Sequence, residues 1–287
     1  MTILWYDKIF LNFKIGNIQK GCLLFENNLK SNEVENTIQS TINKKILLLI
    51  LGLALVFQSF VYIAPEGDDK EYIIASISIV NPLIASIMSF TVAKRYSGSL
   101  VFGRAYAFLG ISLLMMFLGE IAWYTYVFGF GIEEPYPSIA DVFFFAFYPL
   151  AMVHIILNVN FFKTKISTQN KIWITIIPIA IIVAYTQISL SSGIELDFDF
   201  FYSLAFVIVS SVVLTLALLG SIVFRGGTLG NAWILLLIGI FLTTFGDVWY
   251  FYLELLDGYY SGHPVELLWY ASYWTMTYAL YKHKKII

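Results

Sequence analysis

Cysteine is almost missing from this chain. Cys22 is the only one in 287 residues, which excludes an intrachain disulfide framework and any zinc or iron–sulfur site built from several thiolates. Histidine is nearly as scarce, with three residues. Charge is sparse too: 13% of residues are Asp, Glu, Lys or Arg, about half the share usual in a soluble domain. Lys and Arg form no stripe of the kind that binds nucleic acid, so no nucleic-acid partner is expected. P-loop, dinucleotide, HExxH and Gly-x-Ser-x-Gly patterns are all missing, and with them the usual signatures of nucleotide binding and hydrolysis. The expectation is a protein that is not an enzyme and carries neither metal nor cofactor.

What fills the chain instead is apolar. Hydrophobic residues make up 59% and aromatics 18%, with a mean hydropathy of +0.78. Eight stretches, about 46–64, 72–93, 105–129, 139–162, 172–190, 199–224, 231–255 and 265–281, are near the ~20 residues that cross ~30 Å of hydrocarbon. In lipid such segments must close their own backbone hydrogen bonds as helices. The fold class expected is therefore all-α, a polytopic integral membrane protein whose first partner is the lipid bilayer. Residues 1–44 are more polar and read as a cytoplasmic extension, either an amphipathic helix on the inner membrane face or a poorly structured segment, with 26–44 as linker.

Charge sign alternates between the connections. Lys44, Lys45, Lys94, Arg95, Arg104, Lys163, Lys165, Lys171, Arg225, Lys282, Lys284 and Lys285 fall on one side of the spans. Glu66, Asp68, Asp69, Glu71, Glu133, Glu134, Glu195, Asp197, Asp199, Asp257 and Glu266 fall on the other, where Lys70 is the exception. The positive-inside rule makes the basic side cytoplasmic. That predicts a multi-pass plasma-membrane protein with both termini inside.

The stretch Gly119–Pro149 has an echo 127 residues later. At that offset Gly103 lies over Gly230, Gly119-Glu120 over Gly246-Asp247, Gly131 over Gly258 and Pro137 over Pro264. Glycines, a proline and a membrane acid are costly residues for an apolar helix to match by chance. Two parallel four-helix repeats are expected, 45–165 and 166–287, which places Glu120 and Asp247 at one height across a central axis. Both then face an outer vestibule walled by Trp123 and Tyr250, where they can hold a cation, an amine or a proton. The blander alternative is that each acid bonds a Trp or Tyr on a neighbouring helix, and that the aromatic bands Trp123-Tyr124-Tyr126 and Trp249-Tyr250-Tyr252 form the interfacial belt.

Pro137-Ser138-x-x-Asp141 reads as a helix start with Ser138 as cap and Asp141 in the first turn. Its functional alternative joins Asp141 to Glu120, Glu133 and Glu134. In the second half His263, Glu266 and Asp257 suggest a weak metal or proton site, against a plain solvated loop. His154 stands alone inside the fourth span, with His283 assigned to the basic tail, so no histidine pair is expected. Asn81-Pro82 predicts a kink in which Asn81 or a serine meets the freed carbonyl.

The run GEIAWYTY followed by EEPYPSIADVFFFAFYPL resembles the multi-span N-terminal membrane sensor regions of bacterial and archaeal PAS, histidine-kinase and diguanylate-cyclase signalling proteins. The matching positions are Glu120, Trp123, Pro137, Ser138, Asp141, Phe144, Tyr148 and Pro149. The resemblance implies a membrane sensor. Six residues follow the last span, so the expectation is a stand-alone module that signals through a separate cytoplasmic partner or a homodimer. Transport of a small solute or ion, or a role as accessory subunit of a membrane complex, are the alternatives.

Overall fold

The computed structural model describes residues 42–65, 67–99, 101–132, 137–162, 167–225 and 229–285. The expected N-terminal extension, together with Glu66, Glu133, Glu134, Lys163 and Lys165, lies outside the described residues. Those described contain eight long helices: α1 Lys44–Ile63, α2 Asp68–Arg95, α3 Phe102–Thr125, α4 Ile139–Phe162, α5 Thr168–Ser191, α6 Phe198–Val223, α7 Gly230–Glu254 and α8 Glu266–Lys285. A π-helical turn, Tyr126–Phe130, prolongs α3 and stops at Gly131, whose φ of 67° is left-handed.

Seven of the eight, α1 to α7, are long and apolar enough to cross a membrane. The α8 sequence is long enough too, but Ser272, Thr275, Thr277 and several Tyr and Trp residues make it less apolar. The described residues are all-helical, and their seven apolar helices make the protein a membrane-embedded one.

Local signals explain the helix ends. Asn43 Oδ1 accepts from Lys45 N, Ser167 Oγ from Asn170 N and Asp197 Oδ1 from Phe200 N, satisfying amides that the first turn leaves free. In α2 the acids Asp68, Asp69 and Glu71 occupy the first turn and Lys94 and Arg95 the last, each complementing the helix dipole.

Six helices close into a ring in the order α2, α3, α4, α6, α7, α8 and back to α2. The interior is polar at chosen points. Ser86 and Ser89 donate to the carbonyls of Gly110 and Tyr106 across α2–α3. Thr243 bonds Ser272 across α7–α8, and Thr244 donates to the Ser210 carbonyl of α6. Gly239 lets α8 approach so closely that a Cβ there would fall 2.5 Å from Met276 Cγ, the close packing that small residues allow between membrane helices.

Helix α1 lies outside the ring against α8, and α5 lies outside against α6. Only 11% of the most apolar stretch of each is buried, so both present aliphatic flanks to lipid.

Two local expectations need correction. Asn81 does not serve the carbonyl freed by Pro82; its Oδ1 accepts the Trp274 indole N–H at 2.8 Å, because α8 packs directly on that face of α2. His283 is not in a tail. The helix α8 runs on to Lys285 and carries His283 into the bundle, where it is buried beside Tyr106.

Candidate functional site

The carboxyl-terminal halves of α3 and α7 and the first turns of α4 and α8 meet at one end of the ring. Between them lies a cavity bounded by seventeen residues, four of them carboxylates: Glu120, Asp141, Asp247 and Glu266. Most of the others are aromatic, including six tyrosines and two tryptophans, and no Lys, Arg or His is among the described lining residues. The cavity leaves about 80 Å³ for the centres of water-sized molecules. One water needs about 10–15 Å³ on that measure, so there is room for about five to eight waters or one small organic molecule.

Of the residues singled out in the sequence, Glu120, Asp141, Asp247, Glu266, Trp123 and Tyr250 all line this cavity. His263 does not. Its Nδ1 accepts from Val265 N and its ring stands edge-on to Trp249. Its partial burial holds the imidazole below its ordinary range. Glu266 turns inward at the start of α8 and leaves His263 behind in the connection. Among the described residues no group of three or more His, Cys, Asp or Glu is arranged to hold a metal. The belt assignment also fails for Trp123, Tyr124 and Tyr250, which are buried and turned inward.

The four carboxylates differ in what holds them. Asp141 closes a capping box: it accepts from Ser138 N at 2.6 Å while Ser138 Oγ accepts from Ala140 N, and Tyr202 adds a further hydrogen bond. Glu266 takes three donors, the Gly262 amide at 2.7 Å and the hydroxyls of Tyr259 and Tyr270. Asp247 takes two, the Tyr148 hydroxyl at 2.8 Å and the Trp269 indole at 3.1 Å. Glu120 is different. It is half-buried, faces the cavity, and has no hydrogen-bond or ion-pair partner among the described residues.

Asp247 therefore behaves as the bland alternative had it, as the acceptor that locks α4 and α8 onto α7. Asp247→Ala should cost about 2–4 kcal/mol, since each buried donor left unpaired costs about 1–3 kcal/mol. A chemical or thermal unfolding series in detergent measures this loss. Asp247→Asn should lose about half as much, because the amide keeps one acceptor oxygen.

Sequence reasoning missed Tyr148 and Tyr273 as lining residues, along with Trp269, Tyr259 and Tyr270. A signal for some of them was present. Glu120, Trp123 and Tyr124 pair with Asp247, Tyr250 and Phe251 at the offset of 127. Asp141, Phe144 and Tyr148 pair with Glu266, Trp269 and Tyr273 at an offset of 125. A two-residue difference in the connection hides the second set from a gapless alignment.

Comparison with protein-family models, curated proteins and solved structures gives no match.

Proposed function

We propose that this chain is an integral membrane ligand-binding module, a sensor whose outward-facing cavity takes a small organic ammonium ion. Glu120 carries the reading: an unpaired carboxylate in an aromatic chamber with no cation among its described lining residues. A half-buried carboxylate with no positive group beside it takes up either a proton or a cation, and the aromatic faces around it attract an alkylammonium by their quadrupoles. The other three acids are already bonded, so Glu120 is the anchor. Trp123, Tyr124, Phe144 and Tyr273 serve as walls.

The proposed architecture is eight spans in two parallel four-helix copies, 45–165 and 166–287. Twelve of the seventeen lining residues fall into equivalent pairs, and the helix order around the ring repeats as α2-α3-α4 and α6-α7-α8. Gly103 and Gly230 each pass the carbonyl that ends the preceding helix, at 2.7 and 2.8 Å from an added Cβ. The basic residues gather at the opposite end from the cavity, which supports a plasma-membrane protein with cytoplasmic termini. A partner reading the cytoplasmic end, or a second copy, completes the sensor.

The test is a thermal-shift series in detergent with methylammonium, ethanolamine, trimethylammonium and tetramethylammonium, and with sodium and potassium as controls. At least one ammonium compound should raise the unfolding temperature of the wild type. Glu120→Gln should fold normally and lose that response, with affinity falling about 10- to 100-fold, the worth of one charge-assisted bond of about 1.5–3 kcal/mol. A Glu120→Gln protein that responds as the wild type does would sink the reading. Transport is the second reading, favoured by the two-copy order of the ring. Glu120-dependent uptake of the same ammonium compound into proteoliposomes would select it over sensing.

A further inference from the structure

At the basic end of the same bundle a second polar cluster carries unpaired atoms of its own. Tyr106 of α3 stands between two imidazoles, its ring centroid 4.8 Å from both His154 of α4 and His283 of α8. His154 stacks on Trp233 of α7, with centroids 5.6 Å apart. Asn158 lies one turn on from His154 and donates to its carbonyl. Tyr96, beyond the end of α2, closes the group 6.4 Å from His283. This cluster and the acidic cavity share four helices. Tyr106 and Glu120 are fourteen residues apart in α3, which is about 21 Å. Leu109, Leu113 and Met116 fill that interval on α3, and Leu236 and Ile240 the matching interval on α7.

Among the described residues nine buried side-chain atoms have no hydrogen-bond partner, and five of them belong to this one cluster: His154 Nε2, Asn158 Oδ1, His283 Nδ1, Tyr96 Oη and Trp233 Nε1. Their chemistry is mixed. His154 Nδ1 lies 2.8 Å from the Ala105 carbonyl. A carbonyl only accepts, so Nδ1 bears the proton and Nε2 presents a bare lone pair. Asn158 Oδ1 likewise only accepts, whereas Trp233 Nε1 only donates. A metal ion would satisfy the lone pairs and leave the indole and phenol donors orphaned. An anion would do the reverse. Water does both, and buried water characteristically bridges about three otherwise unsatisfied polar groups.

We propose that His154, Asn158, Trp233, Tyr96 and His283 enclose a cluster of ordered water molecules, a hydrated chamber at the basic end. The apolar layer of Leu109, Leu113, Met116, Leu236 and Ile240 separates it from the acidic cavity. The bundle then holds water at both ends. His154 and His283 are joined through Tyr106 and water into one hydrogen-bonded relay along which a proton can move. This site is independent of the ammonium reading, since it shares no residue with the acidic cavity.

Hydroxyl-radical footprinting by X-ray radiolysis of the full chain in nanodiscs tests it, because radicals formed from bound water mark the side chains that touch that water. After correction for the intrinsic reactivity of each ring type, Trp233 and Tyr106 should be modified severalfold faster than Phe147 and Phe200, which are about as buried. His154→Leu, which removes the lone pair and fills its space, should bring Trp233 down to the level of Phe147. The wild-type footprint decides the matter even where that variant fails to fold. Modification of Trp233 and Tyr106 no faster than that of Phe147 would overturn the proposal. So would a stoichiometric metal in the purified protein that disappears with His154→Gln.

Discussion

Glu266→Ala should cost about 3–5 kcal/mol of stability, the largest loss expected from any single substitution at the acidic end. The carboxylate collects the Gly262 amide, the Tyr259 hydroxyl and the Tyr270 hydroxyl. Each buried donor left unpaired costs about 1–3 kcal/mol, and water from the adjoining cavity keeps the total toward the lower end. More than local bonding is at stake. Gly262 also gives its carbonyl to Gln58 Nε2 of α1 at 2.7 Å, and the neighbouring Ser261 donates to Glu71 of α2 at 2.8 Å. Glu266 thus fixes the α7–α8 connection, and that connection clamps α1 and α2. Through Tyr270 and Ser78 the same network reaches Tyr124 on the cavity wall. Denaturant unfolding in detergent reads the loss. Glu266→Gln keeps an acceptor oxygen but turns an amide donor on the remaining partners, so it should fall between the wild type and Glu266→Ala. A change below about 0.5 kcal/mol for the alanine variant, the level of an ordinary surface substitution, would mean that the connection is held by other means.

The role of Glu266 also shows how far a sequence can be read. Its neighbourhood in the chain, with His263 and Asp257, suggested a weak metal or proton site or a solvated loop. In space the first turn of α8 aims Glu266 into the ring, while His263 packs on Trp249. Chain proximity misled because the helix begins between the two residues. Glu120 and Asp247 were legible for the opposite reason: each follows a glycine in an otherwise apolar helix, so the pair stands out. What separates them was not legible. Asp247 has Tyr148 and Trp269 as donors, and tyrosines and tryptophans are too frequent in this chain for any one to be marked as a partner. His283 was lost because Lys282, Lys284 and Lys285 surround it; charge ended the predicted span one turn before the helix ends. The helices themselves were plain in the sequence, since a run of apolar residues of spanning length admits no other secondary structure in lipid.

On the proposed function, Phe144→Trp should weaken ammonium binding about 10- to 100-fold while leaving the protein folded. In the proposed two-copy arrangement Trp269 stands at the position equivalent to Phe144, and its indole N–H is one of the two bonds that occupy Asp247. The glycines that precede the two acids face these same rings: a Cβ on Gly246 would press on Trp269 Nε1, and one on Gly119 would press on the Phe144 ring. The second half of the chain thus shows that an indole fits against a glycine at this position and reaches the carboxylate one residue further on. The first half keeps a phenylalanine, which has no donor, and its Glu120 has no partner among the described residues. Placing Trp at position 144 supplies the missing N–H and extra bulk in one change. A hydrogen bond to a carboxylate contributes about 1.5–3 kcal/mol, which a ligand would then have to displace. Affinity should fall about 10- to 100-fold, with no loss of unfolding temperature in the absence of ligand. The same thermal-shift series used for Glu120→Gln measures both quantities. Retained ammonium binding in a well-folded Phe144→Trp protein would break the equivalence of the two halves or the anchoring role of Glu120. Glu120→Gln then identifies which: if that variant still loses the response, Glu120 remains the anchor and the equivalence is what fails.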